Sequence, residues 1–547
     1  MLFLSLGVLT QLQTVFAQAD SVGGTLAIPI KGKRSASAPL PRLEHLERRA
    51  DLPELALINQ LTFYQATLEI GSQKEQVQFT IDTGSSDLWV MSPDNPLCAQ
   101  DDEQIQQNNL PNCSAPITFD YSASSSFSKN QSSVYYGQYA DGTVAQGFYA
   151  QDTVVIGQST VKNANFAVAT NTNVSQPVFG IASVNDEASV SNQDPTTYAN
   201  IPVQLKEQGF TQAVAYSLWL NDLNALEGSI LFGGVDHEKY VGDLQLVPMV
   251  TFTSDGQQVN PPILPFVMLH GVSVYNNKNM AATIAECSLP VALDSGTSLA
   301  YLPSDIIDAI GQSISATPLN NLGIYGAYCD LSGGLIWNFS GVEIFTPFSQ
   351  LLYPLVTTSN EPATYKGRPI CGLNIMPSES LFLLGDLFLR SAYVVFDYEN
   401  YQVAIANTNF NSTESDISTI SGGVSATSAA SYSSTSYVVN VKTTVATSFT
   451  SSIQTPSETN GAGATGREDP GITTGNTING GPQATLNPLS QGSQNSGSAG
   501  ASGSATRSSS HPGSSSSSSS SKNKNAAPTS STPSIAALFM FSIWAMF

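Results

Sequence analysis

The sequence predicts a mainly β protein built from two related halves, and three observations lead to this fold class. Short stretches of alternating apolar and polar residues, bounded by turn residues, recur through the middle of the chain. Patterns that fit helices are scarce there, and the best candidates are residues 202–208 and 303–314. The third observation is a repeat. Two strand-like apolar runs each end in an aspartate that is followed by a small hydroxyl residue and a glycine, at Asp82 and Asp294.

The repeat extends beyond these tripeptides. Residues 65–81 have the pattern of a β-hairpin that leads into the first aspartate. Each half also carries an apolar-apolar-glycine element, Val178-Phe179-Gly180 in one and Leu383-Leu384-Gly385 in the other. Because whole contexts recur, we expect two related lobes, at residues 50–240 and 241–407.

The charge balance excludes one class of partner. The chain has 547 residues, a formal net charge of −22, only 20 Lys plus Arg and 4 His. A phosphate backbone requires a basic face, so we expect no nucleic acid partner. Solubility alone explains an acidic surface. The alternative is tolerance of acid, because few positive charges remain to repel one another once the carboxylates are neutralised.

The N-terminal end has the features of processing signals. Residues 1–19 contain an apolar stretch and small residues near its end, as in a secretory signal peptide. Residues 20–49 are rich in basic residues and contain the pairs Lys33-Arg34 and Arg48-Arg49, which predict cleavage to a mature start near Ala50. This pro-segment either occupies an acidic cleft electrostatically or is an exposed spacer.

The C-terminal end predicts a stalk and a lipid anchor. Residues 408–525 consist largely of Ser, Thr, Gly, Asn and Pro, which cannot bury enough surface to offset chain entropy, so we expect an unfolded, O-glycosylated stalk. Residues 526–547 combine a polar spacer with an apolar tail too short to span a bilayer. This pattern predicts attachment of glycosylphosphatidylinositol at Asn525, with Asn523 and Gly513 as fallback sites. A simple hydrophobic terminus is the alternative.

The secretory signals also bear on cysteines and asparagines. In an oxidising compartment Cys98 and Cys113 can close a small loop and Cys329 and Cys371 a larger one, although five cysteines allow several pairings. Cys287 is then left as a buried thiol. Acceptor triplets for N-glycosylation occur at Asn112, Asn130, Asn173, Asn338 and Asn411.

The folded region resembles a known family. The residues that carry the resemblance are Asp82-Thr83-Gly84-Ser85-Ser86, Leu88-Trp89-Val90, Asp294-Ser295-Gly296-Thr297, Leu384-Gly385-Asp386, Tyr393 and Phe396-Asp397. In order and spacing they are similar to the pepsin-type aspartic proteases (peptidase family A1). The pro-segment, stalk and anchor signal resemble the fungal surface-anchored branch of yapsins and candidapepsins. The resemblance implies a bilobal pepsin-like fold, with two related six-stranded-type β lobes and the active site in the cleft between them.

The chemistry of two carboxyl groups supports the same assignment. Two carboxyl groups held close together cannot both ionise easily, so one accepts a proton from water while the other donates a hydrogen bond to the peptide carbonyl. We therefore expect Asp82 and Asp294 to be catalytic, with no metal or cofactor. Gly84 and Gly296 let the backbone approach the carboxylates. By resemblance, Thr83 and Ser295 tie the two loops together, and Ser85 and Thr297 bind the outer carboxylate oxygens.

A flap is expected to cover this pair. Residues 135–143 contain several aromatic residues separated by glycines, a pattern typical of a β-hairpin, and Gly142 lies in the turn of the predicted hairpin. By resemblance, Tyr139 is the flap tyrosine whose hydroxyl reaches Trp89. Ala140 replaces the glycine that is usual in the family. An alternative alignment therefore remains, in which Tyr136 is the flap tyrosine. Asp141 would face a substrate Lys or Arg, so we expect cleavage next to basic residues.

Two other functions fit part of the sequence. A catalytically inactive wall mannoprotein or adhesin would have the same stalk and anchor, but it has no chemical reason to keep both aspartates with their hydroxyl partners. A glycosidase would share the two-carboxylate logic but does not explain the duplicated motif. We therefore expect a monomeric, secreted, cell-surface-anchored endopeptidase. Its partners would be peptide or protein substrates and, through the lipid anchor, a membrane or the cell wall.

Overall fold

The computed structural model describes part of the chain. The described residues are 26–27, 52–60, 63–98, 111, 113–191, 197–254, 257–258, 261–276, 280–319, 323–357, 362–430, 437–438 and 442–445. The predicted signal peptide, most of the pro-segment, most of the stalk, Asn112 and the attachment site at Asn525 lie outside them, so those assignments stay predictions. No helix within the described residues is long and apolar enough to cross a membrane.

The described chain is mostly β. Up to residue 250 the strands are β1 (Leu26–Ala27), β2 (Glu54–Asn59), β3 (Tyr64–Ile70), β4 (Glu75–Asp82), β5 (Trp89–Met91), β6 (Ser128–Gln138), β7 (Val144–Ile156), β8 (Ser159–Thr172), β9 (Val178–Gly180), β10 (Ala215–Trp219), β11 (Glu227–Phe232), β12 (Gly234–Asp236) and β13 (Tyr240–Pro248).

The later strands are β14 (Thr251–Ser254), β15 (Gln257–Gln258), β16 (Phe266–Asn276), β17 (Met280–Leu293), β18 (Ala300–Leu302), β19 (Thr317–Leu319), β20 (Ile324–Tyr328), β21 (Gly334–Phe339), β22 (Val342–Pro347), β23 (Leu352–Pro354), β24 (Val356–Thr357), β25 (Thr364–Tyr365), β26 (Arg368–Leu373), β27 (Ile375–Pro377), β28 (Leu383–Leu384), β29 (Ala392–Asp397), β30 (Gln402–Thr408), β31 (Ile417–Thr419), β32 (Thr427–Ser428), β33 (Tyr437–Val438) and β34 (Lys442–Val445).

The helices are short. They are α1 (Ile201–Glu207), α2 (Ser304–Ser313), α3 (Phe348–Leu351) and α4 (Asp386–Leu389), with 3₁₀ turns at Tyr121–Ala123, Val184–Asp186, Ala188–Ser191 and His237–Lys239. The Asn200 side chain accepts a hydrogen bond from the Val203 N–H and so caps α1, which carries Pro202 in its first turn. Helix α2 buries Ile306, Ile307 and Ile310 on one face.

Six antiparallel strands form a platform shared by the two halves. Their order is β2, β11, β10, β29, β30, β13, so each half supplies three strands in mirrored order about the β10–β29 pair. Ser217 lies opposite Val395 at this centre. Every residue of β10 and β29 is buried, which explains why these strands appear in the sequence as nearly continuous apolar runs. The fold is the predicted bilobal one.

The sequence repeat corresponds to a structural repeat. Strand β4 ends at Asp82 and runs parallel to β9, with Ile81 opposite Phe179. Strand β17 ends immediately before Asp294 and runs parallel to β28, with Ala292 opposite Leu383. The two apolar-apolar-glycine elements therefore occupy equivalent places, each beside the strand that delivers an aspartate.

The structure contains two disulfides, Cys98–Cys113 and Cys329–Cys371, the two pairings named from the sequence. Cys287 is a buried free thiol on β17. Burial, with a smaller contribution from the charge of Asp305, raises the pKa of Cys287 to about 12. A thiol of this kind is largely unreactive.

The folded body continues past Thr408. Residues 409–430, here called the C-terminal strap, were assigned from composition to the stalk, yet they pack on the platform. Strand β31 pairs with β12, and Ile420 and Val424 are buried in a cluster with Trp219 and Tyr393. The Lys239 Nζ donates to backbone carbonyls of the strap at 2.8 and 3.0 Å. Composition missed the strap because a few apolar anchors are diluted among Ser, Thr and Gly.

The strap should contribute measurably to stability. A chain ending at Asn407 exposes the apolar surface that Ile420 and Val424 cover, and burial of each such side chain is worth roughly 1.5–3 kcal/mol. We expect its thermal midpoint to lie about 5–10 °C below that of a chain ending at Ala430. Differential scanning calorimetry of both chains at the same pH measures this. Equal midpoints would show that the strap is a passive covering.

Candidate active site

The two aspartate loops meet in the interior between the lobes. Asp82 and Asp294 are each 1% exposed. A Cβ atom built at Gly84 would lie 2.6 Å from Asp294 Oδ1, and one built at Gly296 would overlap Asp82 Oδ1. Each loop glycine therefore packs against the carboxyl group of the other loop, and a larger residue at either position would push the two carboxyl groups apart.

Thr83 and Ser295 join the loops by reciprocal hydrogen bonds. The Thr83 hydroxyl donates to the Leu293 carbonyl at 2.8 Å, and the Ser295 hydroxyl donates to the Ile81 carbonyl at 2.9 Å. Each hydroxyl also accepts a backbone N–H from the other residue, at 3.2 Å from Thr83 and 2.9 Å from Ser295. Serine at 295 makes the same bonds as threonine at 83, so the two loops are held symmetrically.

Each carboxylate also receives hydrogen bonds from its own loop. Asp82 accepts the Gly84 N–H at 2.8 Å and the Ser85 hydroxyl at 2.6 Å. Asp294 accepts the Gly296 N–H at 2.9 Å and the Thr297 hydroxyl at 2.7 Å. These bonds fix both carboxyl planes before any substrate arrives.

The two carboxyl groups interact electrostatically. Burial, followed by the negative charge of Asp82, raises the pKa of Asp294 above the ordinary carboxyl value. Hydrogen bonds from Thr297 and Gly296 oppose this shift. The pair can therefore hold one proton between two oxygens under conditions where an isolated carboxyl group would have lost it.

The predicted flap hairpin consists of β6 and β7, and Tyr139 beside its turn lines a cavity together with Asp82 and Gly296. The Tyr139 hydroxyl accepts a hydrogen bond from Trp89 Nε1 at 2.6 Å. The competing candidate, Tyr136, is 43% exposed. Ala140 fits the turn because the positive φ of +81° falls on Gly142. Asp141 Oδ1 accepts from the Thr143 N–H and hydroxyl at 2.9 and 2.7 Å, which orients this carboxylate at the flap tip.

A cavity opens beside Asp82 under the flap. The cavity is small, with a volume of about 20 Å³, and its lining residues are Thr80, Asp82, Tyr139, Val174, Gln176, Val178 and Gly296. Asp141 is not among them. Burial raises the pKa of Tyr301, and the charges of Asp141 and then Asp294 add to the shift. The Asp141 carboxylate is therefore close enough to Tyr301 to interact with it electrostatically.

Several buried ionisable residues around the site were not anticipated from the sequence. Asp87 and Glu187, with the half-buried Tyr198, lie behind the first aspartate loop, and Asp386 and Arg390 lie behind the second. Asp386 was noted only as part of a family motif. For the other four residues, the neighbouring sequence does not indicate burial, because their partners come from distant segments of the chain.

The predicted N-glycosylation sites differ in exposure. Asn130 and Asn411 are exposed, whereas Asn173 and Asn338 are half-buried. The Asn173 and Asn338 side chains accept backbone N–H groups of Val144 and Gly341. Within the described part of the chain, no group of three or more His, Cys, Asp or Glu side chains is arranged to hold a metal ion.

Comparison with known proteins adds independent information. The family model described as eukaryotic aspartyl protease matches residues 63–408. The chain is 36% identical over 398 residues to the "Probable aspartic-type endopeptidase opsB" of Aspergillus oryzae, covering 72% of this chain and 78% of that protein. It is 34% identical over 395 residues to "Aspartic proteinase yapsin-3" of Saccharomyces cerevisiae, covering 70% and 73%.

Among solved structures, the aspartic proteinase from Irpex lacteus superposes with a TM-score of 0.50 at 20% identity. The match covers 66% of this chain and 99% of that one. At this identity the likeness concerns the fold.

Proposed function

The chain belongs to the eukaryotic aspartyl protease family and is an aspartic-type endopeptidase, and on that premise we propose that Asp82 and Asp294 are its catalytic pair. The observation that carries the proposal is the packing of each carboxyl group against the glycine of the opposite loop. Two similar half-structures thus bring two buried carboxyl groups to one point in the cleft.

In the proposed reaction the pair shares one proton, as the carboxyl groups of pepsin do. The ionised carboxylate removes a proton from a water molecule, whose oxygen attacks the peptide carbonyl carbon. The protonated carboxyl group donates a hydrogen bond to the carbonyl oxygen as negative charge develops there. Collapse of the tetrahedral intermediate transfers a proton to the leaving nitrogen and breaks the C–N bond. The proton belongs to the pair rather than to one named aspartate.

The flap would complete the site. The Tyr139–Trp89 hydrogen bond holds the flap tyrosine over the cavity beside Asp82. Closure over a bound peptide would exclude bulk water and strengthen the electrostatic interactions of the pair.

We also propose that the enzyme reaches the cell surface through the secretory pathway. The support is in the sequence: an apolar N-terminal segment, dibasic pairs before Ala50, a Ser/Thr-rich stalk and the attachment signal after Asn525. Treatment of intact cells with phosphatidylinositol-specific phospholipase C should release the protein. Mass spectrometry of the released protein should then find the remnant of the anchor on Asn525. In the Asn525→Gln variant, the protein should be secreted into the medium, or the anchor remnant should be found on a neighbouring small residue. Retention insensitive to the phospholipase would favour a wall linkage or a simple hydrophobic terminus.

For substrates, we propose a preference for Lys or Arg next to the scissile bond. Thr143 orients the Asp141 carboxylate at the flap tip, and a carboxylate held in this way can form a charge-assisted hydrogen bond to a cationic side chain. The net negative charge of the chain adds long-range attraction for basic peptides.

Asp141→Asn should reduce the ratio of basic to apolar cleavage by roughly tenfold, because it removes the charge and keeps the oxygen that Thr143 binds. The measurement is sequencing of peptide-library products at pH 4 by residues 50–430, with and without pepstatin. Asp120→Asn is the matched control, since Asp120 Oδ1 accepts the N–H and hydroxyl of Ser122 in the same arrangement on the surface.

An unchanged ratio in Asp141→Asn would end the proposal for substrate preference. Complete absence of pepstatin-sensitive cleavage by a folded, correctly processed chain would contradict the catalytic assignment and favour the inactive adhesin.

A further inference from the structure

Asp87 follows Asp82 on the same loop, and its carboxyl group is bound by segments outside both aspartate loops. It is 7% exposed, and its backbone is held against Gly180, whose N–H donates to the Asp87 carbonyl at 3.0 Å. A Cβ at Gly180 would lie 2.7 Å from the Asp87 nitrogen, so this approach requires glycine. The position of the Asp87 carboxyl group is therefore fixed relative to the catalytic loop.

Three neutral groups donate to this carboxyl group. The Tyr149 and Tyr198 hydroxyls donate to Oδ1 at 3.0 and 2.7 Å, and the Ala188 N–H donates to Oδ2 at 2.8 Å. Burial raises the pKa of Asp87, and these three hydrogen bonds oppose the shift. A buried carboxyl group with several distant partners is costly to leave unsatisfied, so its hydrogen bonds constrain the segments that supply them.

One of those segments is the flap itself. Tyr149 lies on β7, the returning strand of the flap hairpin. Its ring packs edge-to-face on Tyr135 of the outgoing strand β6, with centroids 5.5 Å apart. The hydroxyl of Tyr135 reaches under Gly137, two residues before the flap tyrosine. Asp87 therefore contacts one strand of the hairpin directly, through Tyr149, and the other strand indirectly, through the packing of Tyr149 on Tyr135.

The flap consequently has two connections to one short stretch of chain. At its tip, Tyr139 bonds to Trp89, and at its base, Tyr149 bonds to Asp87, two residues earlier. Both partners follow the first catalytic aspartate within seven residues. Two points on the flap are therefore hydrogen-bonded to the segment that follows Asp82.

We propose that Asp87 is a positioning residue that sets the closed position of the flap over the catalytic pair through its hydrogen bond with Tyr149. The proposal rests on the proposed catalytic function, because it concerns how the flap is held during that reaction. Asp87 does not touch the reacting atoms and acts through the hairpin.

The molecule offers a matched control. Tyr198 donates to the same oxygen of Asp87 as Tyr149, over a shorter distance, but it lies in the segment before α1 and outside the flap. Tyr149→Phe and Tyr198→Phe each remove one hydroxyl donor from Asp87 and preserve the ring. A merely structural role predicts similar effects of the two changes, whereas a flap-positioning role predicts an effect on the flap from Tyr149→Phe alone.

The test measures steady-state kinetics and hydrogen exchange on the mature enzyme. For Tyr149→Phe we expect kcat/KM to fall roughly tenfold, with KM raised, and amides of residues 134–148 to exchange several-fold faster. For Tyr198→Phe we expect both quantities to stay within about twofold of the unaltered enzyme, even where the thermal midpoint falls. Asp87→Ala removes the acceptor for the Tyr149 hydroxyl and should loosen the flap as Tyr149→Phe does.

Equal effects of the two Tyr→Phe changes on flap exchange would overturn the proposal, as would a Tyr149→Phe enzyme altered only in thermal midpoint. Hydrogen exchange does not depend on turnover, so these outcomes are distinguishable from failure of the catalytic assignment, which would show as loss of activity in the unaltered enzyme.

Discussion

Asp82→Asn and Asp294→Asn are each expected to lower the rate of peptide hydrolysis by roughly 10⁴-fold. The amide keeps the size of the carboxyl group and can still accept from the loop N–H, so the fold should survive. What is lost is the ability to hold one proton between two acids. With Asn at 82 or 294, the remaining carboxyl group can take a proton from water, but no second carboxylic acid donates to the carbonyl oxygen as negative charge develops there.

The measurement is kcat/KM on a pepstatin-sensitive peptide between pH 3 and 6. Asp152→Asn is the control. Asp152 is also 1% exposed and also accepts one hydroxyl and one backbone N–H, from Ser126 and Thr153, but it lies toward the end of β7 that is far from the flap turn. We expect activity near that of the unaltered enzyme for this control. Pepstatin-sensitive turnover above about 1% in either active-site variant would contradict the assignment.

The fold and the contact between the two aspartate loops were predictable because a short local pattern specifies each loop and this pattern occurs twice. An aspartate, a hydroxyl residue and a glycine in succession specify the loop, and the repeat specifies that two loops meet. The Thr83–Ser295 interaction follows from the same symmetry.

What the sequence did not predict depends on contacts between distant segments. Asp87 was not singled out from the sequence, and its partners Tyr149 and Tyr198 lie 62 and 111 residues away. The strap was missed for a different reason. Ile420 and Val424 are isolated apolar residues in a Ser-rich stretch, and they are buried because they pack on Trp219 and Tyr393, which come from distant segments.

Glu187 shows how such burial links the structure to pH. It is 1% exposed, and its Oε2 accepts the Tyr198 N–H at 2.8 Å, while Oε1 has no hydrogen-bond partner in the part of the chain that the structure describes. Burial raises the pKa of Glu187 from 4.5 to about 9, and the nearby charge of Asp87 adds to the shift. Burial also raises the pKa of the neighbouring Asp186.

The sign of the effect on stability follows from proton linkage. Below pH 4.5 Glu187 is protonated in both folded and unfolded chains, so its contribution to folding is fully present. Between pH 4.5 and about 9 the unfolded chain releases this proton and the folded chain retains it, so the free energy of unfolding falls as the pH rises. At 1.36 kcal/mol per pH unit, the loss at pH 7 is roughly 3 kcal/mol.

Glu187→Gln should therefore make the protein more resistant to neutral pH. The amide cannot ionise, yet its oxygen can still accept the Tyr198 N–H, so the thermal midpoint at pH 4 should change little. Between pH 4 and pH 7 the midpoint should fall several degrees less in Glu187→Gln than in the unaltered protein, because about 3 kcal/mol of the pH dependence is removed. Glu343→Gln, at an exposed position, serves as the control and should leave the full decline in place. Parallel declines in all three proteins would mean that Glu187 ionises without penalty in the folded chain, and that neutral-pH instability must come from Asp87, Asp186 or the catalytic pair.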